Sequence, residues 1–210
     1  MIVAIDGPAG AGKSTVAQRL AERLGFRYLD TGAMYRALTW LALQRGLPLA
    51  DGGRLGELAA EYPVTVDDQR RTWIADTDVT ASIRKSDIDR MVPVVARHPA
   101  VRQVMRARQR ELAEDGDVVI EGRDIGTVVA PDAPVKIYLQ ADPDIRARRR
   151  QSERPDIGAD ALATDLRERD QSDAVRMHPA EDAVEIDTTQ LQVDDVVARI
   201  EQLVRERLPA

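Results

Sequence analysis

Ile2-Val3-Ala4-Ile5-Asp6-Gly7-Pro8-Ala9-Gly10-Ala11-Gly12-Lys13-Ser14-Thr15 opens the chain and decides the reading of its fold. Ile2 to Ile5 is a short apolar run suited to a buried parallel strand. Gly7 to Thr15 has the G-x-x-x-x-G-K-[ST] spacing of a phosphate-binding P-loop. Behind it Val16, Leu20 and Leu24 recur at helical spacing, and Gly25 is placed to end the helix. Strand, glycine-rich turn and helix in this order aim backbone N–H groups and a positive helix end at a phosphate chain. Gly7, Pro8, Ala9, Gly10, Ala11, Gly12, Lys13, Ser14 and Thr15 are therefore expected to bind ATP phosphates. Lys13 is expected to reach the β- and γ-phosphates, and the Ser14 hydroxyl to meet Mg2+.

Outward from this loop, strands alternate with helices. Residues 2–5, 26–29, 117–120, 135–139 and 183–186 read as five core strands. Helices are expected from about Gly32 to Gln44, Leu55 to Ala60, Ser86 to Glu114 with interruptions near Pro93 and Pro99, Pro143 to Ser152, and Asp160 to Glu168. Val193, Val196, Val197, Ile200 and Leu203 form a closing amphipathic helix. This alternation predicts an α/β fold: a five-stranded parallel sheet with helices on both faces. Around 62–82 the pattern changes to short antiparallel strands at 64–66, 72–74 and 78–80, joined by the polar turn Asp67 to Arg70.

Composition narrows the class of function. The chain of 210 residues is long enough for one large domain or a core with a small inserted subdomain. There is no cysteine, which excludes a disulfide framework, a thiol nucleophile and a cysteine metal site. No apolar run approaches the roughly 20 residues that span a bilayer, and no signal-peptide pattern precedes the loop strand. These features lead to the expectation of a cytoplasmic protein with no membrane partner. A net charge of −6 argues against a broad nucleic-acid footprint. Lysine occurs at 13, 85 and 136 alone, so the positions of the arginines carry more information than their number.

Ligands in such sheets bind beyond the carboxyl ends of the strands, and each strand is followed by charged residues. Strand two leads into Asp30-Thr31-Gly32-Ala33-Met34-Tyr35-Arg36, where Asp30 or Thr31 could equally be a plain helix N-cap. Strand three leads into Glu121-Gly122-Arg123-Asp124, readable as a site or as a charged turn. Strand four leads into a helix with Arg146, Arg149 and Arg150 on one face, readable as a solvated face or as charge neutralisation for a transferring group. Glu153 to Gly158 reads as a loop able to close over substrate. Glu168-Arg169-Asp170 and Asp173-Ala174-Val175-Arg176 add carboxylates and arginines. His98 and His178 each precede proline and are expected at turns or the surface.

Taken together these blocks resemble the bacterial cytidylate kinases of the nucleoside monophosphate kinase group, almost end to end. The resemblance rests on Ile5 to Pro8, Asp30 to Arg36, Gly122 to Val129, Pro131 to Tyr138, Arg169-Asp-x-x-Asp173-x-x-Arg176 and Ile186 to Thr189. It implies a single P-loop kinase domain over 1–210, with 62–82 the core of a nucleotide-binding insertion and 146–160 a short Arg-rich lid. It implies transfer of the ATP γ-phosphoryl group to CMP or dCMP, with Mg2+, in a monomer. Arg36, Arg123 and Arg176 would hold the acceptor phosphate. Arg102 and Asp124 would read cytosine. Asp173, Arg169, Tyr35 and Thr31 would lie at the acceptor nucleotide, and Lys13, Arg123, Arg146, Arg149 and Arg150 would be catalytic. Pro93 stands where the family usually has a serine, and proline has no hydrogen to donate. Thr31 stands for the usual Ser, and Glu121 for the usual Asp.

Elementary chemistry agrees with this resemblance. A phosphate monoester has its second pKa near 6, so the acceptor oxygen is already ionised at neutral pH. No general base is needed, and joining two anions instead demands cations and exclusion of water. Cytosine offers an N4 amino donor where uracil offers a carbonyl, which makes an aspartate a discriminator. A P-loop kinase of another small acceptor (shikimate, gluconate, dephospho-coenzyme A or another nucleoside monophosphate) would share the loop but leave the Gly122 to Val129 and Arg169 to Arg176 blocks unused. A GTP-dependent switch would normally carry an N-K-x-D motif, which is absent from the sequence. A nucleic-acid-binding module would rest on the arginine cluster alone.

Overall fold

The strand before the phosphate loop spans Ile2–Asp6 (β1) and lies at the centre of a five-stranded parallel sheet. The computed structural model describes residues 1–67, 69–154, 157–174 and 177–207. The chain divides into two compact units, one of Met1–Leu29 with Gly116–Ala210 and one of Asp30–Asp115.

The first unit is built on the sheet. Its strands are β1, β2 (Arg27–Asp30), β6 (Val118–Glu121), β7 (Val135–Gln140) and β8 (Val184–Asp187), ordered β2-β6-β1-β7-β8. Val3 pairs with Val119 on one side and Val135 on the other, and Ile137 pairs with Val184. All five strand expectations hold to within a residue; in β1, β6 and β7 both-face burial leaves near-continuous apolar runs. β6 and β7 pair with β1 on opposite sides, so the strand order switches there and opens a crevice at the carboxyl ends.

One sheet face is closed by α1 (Lys13–Leu24) and α8 (Val193–Arg207). Val3, Ile5, Val119, Val135, Ile137, Leu139 and Ile186 meet Val16, Leu20, Val196, Val197, Ile200 and Val204 in one buried cluster. Alternate strand residues supply this face, and each large side chain so buried contributes about 1.5–3 kcal/mol. Gly25 ends α1 in the left-handed conformation, as expected. After β7 come α6 (Pro143–Glu153) and α7 (Ala159–Asp173). Asp142 caps α6 by accepting from the Asp144 N–H. The segment Ile125–Val129 after β6 is a π-helical turn, which the sequence pattern did not suggest.

The second unit contains α2 (Thr31–Gln44), α3 (Gly52–Glu61), an antiparallel sheet of β3 (Thr65–Val66), β4 (Thr72–Ile74) and β5 (Thr77–Asp78), then α4 (Ser86–Ala96) and α5 (Pro99–Glu114). The expected β insertion is thus present, though its third strand lies at Thr77–Asp78 rather than 78–80. Asp67 accepts from Gln69 N, Arg71 N, Arg71 Nε and Trp73 Nε1 and ties the β3–β4 turn together. Asp68 of that turn lies outside the described residues. Pro93 does not interrupt its helix: α4 runs through it. His98 lies in the turn between α4 and α5, as expected, at the N-cap position of α5 without a side-chain cap bond; it is half-buried, with Nε2 2.8 Å from Leu49 O.

Candidate active site

In the first unit the phosphate loop leaves β1 at Asp6 and passes close to the ends of β7 and α6. Gly7 has φ +141°, and a Cβ there would stand 2.0 Å from Leu139 O. Gly10 has φ +78°, and its Cβ would stand 2.9 Å from both Cβ and O of Arg146. Any side chain at either position would drive the loop off its supports. Gly12 is the N-cap of α1 in the left-handed conformation, with no side chain to occupy the helix's first N–H groups.

Side-chain donors hold the loop's carbonyls one after another. Gly7 O accepts from Arg123 Nη1 at 3.2 Å, and Pro8 O from Lys13 Nζ at 2.8 Å. Ala9 O accepts from Arg146 Nη1 at 3.2 Å, and Gly10 O from Arg149 Nη1 at 3.4 Å. Ala11 O is 3.1 Å from the Thr188 hydroxyl. Burial lowers the Lys13 pKa from 10.5 to about 7, and the neighbouring Arg123 charge pushes the same way. Glu121, Asp6 and Asp173 oppose them.

Ser14 donates to Glu121 Oε2 at 3.0 Å, while the Tyr28 hydroxyl bonds Oε1 of the same carboxylate. Glu121 is buried, at the end of β6. The sequence reading expected Ser14 at a metal; the structure places a carboxylate oxygen of Glu121 beside it. Asp6 is also buried, and accepts from Ile125 N and Gly126 N at 2.8 Å each, which fixes the π-helical turn against β1. Burial raises the Asp6 pKa, and those two N–H donors pull it back.

Arg123 follows β6. Its Nη1 also lies 3.4 Å from Met177 Sδ, and its Nε lies 3.5 Å from Asp173 Oδ2 at the end of α7. Burial lowers the Arg123 pKa; Asp173, Asp170 and Glu121 act in the opposite direction, and the Arg169 charge adds to the lowering. Arg123, Arg169 and Asp173 are thus gathered as the sequence suggested. Asp124 stands at the entry of the π-helical turn, where its carbonyl accepts from Val128 N and Val129 N. Arg176 lies outside the described residues, as do Pro155 and Asp156 of the expected lid.

The α6 arginines divide. Arg146 is 7% exposed and makes a two-armed bond to Asp170, beside its bond to Ala9 O. Arg149 donates to the Thr188 hydroxyl at 3.0 Å and to Thr188 O at 2.6 Å. Both stand behind the loop rather than displayed on a helix face. Arg150, half-buried, pairs with Glu153 one turn on.

The second unit has its own charged cluster. Asp30 caps α2 through Ala33 N at 2.8 Å and accepts from Arg36 Nη2 at 2.7 Å, with Arg84 Nη2 at 3.5 Å. Asp30 is therefore an N-cap that also pairs with Arg36. Thr31 is buried, Tyr35 is half-buried, and the Tyr35 carbonyl accepts from Thr39. Arg102 is half-buried in the first turns of α5.

Tyr28, Asp170, Thr188 and Arg84 belong to these networks and were not singled out from the sequence. Asp170 and Thr188 lay inside quoted blocks, so their location was visible but their partners were not. Tyr28 and Arg84 carried no motif signal.

The family described as cytidylate kinase matches residues 3–206. A cytidylate kinase of Geobacillus sp. is 46% identical, over 98% of this chain and 97% of its own length. A bifunctional pantoate ligase/cytidylate kinase of Nostoc sp. is 45% identical over 99% of this chain, which spans 42% of that protein's length. The fold is also that of a shikimate kinase from Bacteroides thetaiotaomicron, with a TM-score of 0.53 at 16% identity, over 98% of each chain. Among the described residues no helix is long and apolar enough to cross a membrane. With the phosphate loop and the sheet order in agreement, the chain belongs to the cytidylate kinase family.

Proposed function

We propose that the protein transfers the γ-phosphoryl group of ATP to CMP or dCMP, giving ADP and CDP or dCDP. The observation that carries this reading is Arg123. One guanidinium donates to Gly7 O of the phosphate loop and stands 3.5 Å from Asp173. The donor loop and a carboxylate of the acceptor side thereby share a cation, as bringing two phosphates into line requires.

The acceptor phosphate supplies its own ionised oxygen, so the protein's work is positioning and charge. Lys13 swings from Pro8 O to the donor's phosphates, where its proton is favoured by their charge. Arg123, with Arg36, Arg169 and Arg176, meets the acceptor phosphate and sugar, where a planar fork matches phosphate oxygens. Arg150 adds charge from α6. Asp124 accepts the cytosine amino group, and Arg102, Tyr35, Thr31 and Asp173 complete the acceptor contacts. Pro93 supplies no donor beside the base and sugar, which shifts the ribose/deoxyribose preference onto those remaining groups.

Ser14 Oγ and Glu121 Oε2 stand 3.0 Å apart at the helix start. Two hard oxygens there fit Mg2+, and Ser14 would hold it. Bound, Mg2+ neutralises charge on the β- and γ-phosphates. The reading extends to a cytoplasmic monomer acting on free nucleotides, with no nucleic-acid or membrane partner. Chromatography of a reaction of ATP with CMP tests it: ADP and CDP must appear in equal amounts, and ADP without CDP overturns the reading.

A further inference from the structure

We propose that Thr188 and Arg149 are positioning residues of the phosphate loop. They hold its carbonyls turned outward, so that the N–H group of Gly12 faces a nucleotide's phosphates. The inference rests on the reading of Gly7–Thr15 as the seat of those phosphates.

A peptide unit is planar, and its C=O and N–H point in opposite directions. Fixing the carbonyl of one residue therefore fixes the N–H of the next. Arg149 Nη1 on Gly10 O fixes the unit whose Ala11 N–H turns back to Pro8 O at 3.4 Å, and the Thr188 hydroxyl on Ala11 O sets the Gly12 N–H. Left unheld, these units flank Gly10 and Gly12, which have φ +78° and +92°. Glycine rotates between the two sides of φ at little cost. A flipped unit would aim a carbonyl dipole at a phosphate where a donor is needed.

Thr188 is suited to the task by its other bonds. It is 3% exposed, just past the end of β8. Its N–H donates to Gln140 O at 2.8 Å, and its hydroxyl is within reach of the same oxygen. Arg149 grips both its hydroxyl and its carbonyl. The end of β7, the end of β8, α6 and the loop thus converge on one side chain. Lys13 and Arg123 also hold loop carbonyls, yet both are drawn to phosphates when nucleotide binds. Thr188 and Arg149, with Arg146 on Ala9 O, are instead anchored behind the loop, by Gln140 O, by each other and by Asp170.

The test compares Thr188→Val, Thr188→Ser and Arg149→Met with the unsubstituted protein. Calorimetry gives the affinity for ATP and for inorganic tripolyphosphate with no acceptor present. Amide spectra report Gly10, Ala11 and Gly12, and thermal unfolding monitors the fold. Removal of one such hydrogen bond predicts roughly fivefold to tenfold weaker binding. The Thr188→Val loss should be equal for ATP and tripolyphosphate, accompanied by displaced or broadened loop amides, and restored by Thr188→Ser. Arg149→Met should give the same paired loss, and serves as the decisive arm if the valine protein does not fold. Unchanged affinity and unchanged loop amides in the folded variants overturn the proposal, as does a serine variant as weak as the valine one. Wild-type protein that binds both ligands yet never phosphorylates CMP overturns the acceptor reading and leaves this one standing.

Discussion

Arg146 and Asp170 form a two-armed ion pair, Nη1 to Oδ1 at 3.1 Å and Nη2 to Oδ2 at 2.7 Å, and the same guanidinium supports the phosphate loop at Ala9 O. Removing one partner strands a buried charge, which typically costs about 3–5 kcal/mol. Asp170→Asn should fall toward the low end, because its side chain is 28% exposed. The double change Arg146→Met with Asp170→Leu should recover most of the stability while leaving ATP affinity impaired, since Ala9 O has lost its donor. Denaturant unfolding and ATP titration on the single and double variants check this; parallel recovery of both quantities would show that the pair serves stability alone.

Lys13 gives a pH dependence with a definite sign. Burial first, then Arg123, depress its pKa from 10.5 to about 7. The unfolded chain keeps this proton up to its ordinary value while the native state sheds it near 7. This group's contribution therefore makes stability rise with pH from about 7 to about 10.5, and below 7 the full cost of burying the ammonium is felt. ATP phosphates restore the charge, so at pH 8 binding should take up about one proton. Calorimetry in buffers of different ionisation enthalpy measures the uptake, which Lys13→Met should abolish.

Asp124→Asn should narrow the preference for CMP over UMP. The carboxylate can only accept, matching the cytosine amino group, whereas the amide can also donate to the uracil carbonyl. One such contact is worth about 1–3 kcal/mol of discrimination. The ratio of kcat/KM for the two acceptors is the readout, and an unchanged ratio removes Asp124 from base recognition.

Asp30 serves α2 and Arg36 together, and two substitutions separate these duties. Asp30→Asn retains a good N-cap and should leave Tm within a few degrees, but it removes the ion pair with Arg36 and raises the KM for CMP severalfold. Asp30→Ala should do the same to KM and additionally cost about 1 kcal/mol of stability. Thermal unfolding and acceptor titration distinguish these outcomes.

Much of this architecture was legible because it follows from local rules. Apolar runs marked β1, β6 and β7, whose residues are buried on both faces, and the loop spacing located Lys13 and Ser14. What escaped the sequence depends on pairs distant along the chain. Arg146 and Arg149 share a helical face with Arg150, and spacing alone cannot tell a displayed cation from one spent on Asp170 or Thr188. The π-helical turn at Ile125–Val129 is set by Asp6, some 120 positions away. Pro93 was read as a break, yet α4 passes through it; a propensity can be overridden by packing around the helix. Ala75 and Asp76, with φ of 48° and 56°, shape the β4–β5 turn without the Asn-Gly signature such turns usually carry.

The central claim is that the γ-phosphate passes to a cytidine monophosphate. Initial rates with CMP, dCMP, UMP and AMP, at fixed ATP and Mg2+, test it most directly. The account predicts turnover with CMP and dCMP, with kcat/KM for UMP lower by roughly tenfold or more, and AMP no faster than the reaction without acceptor. Preference for AMP or UMP, or nucleotide hydrolysis that proceeds equally well with no acceptor at all, would contradict it.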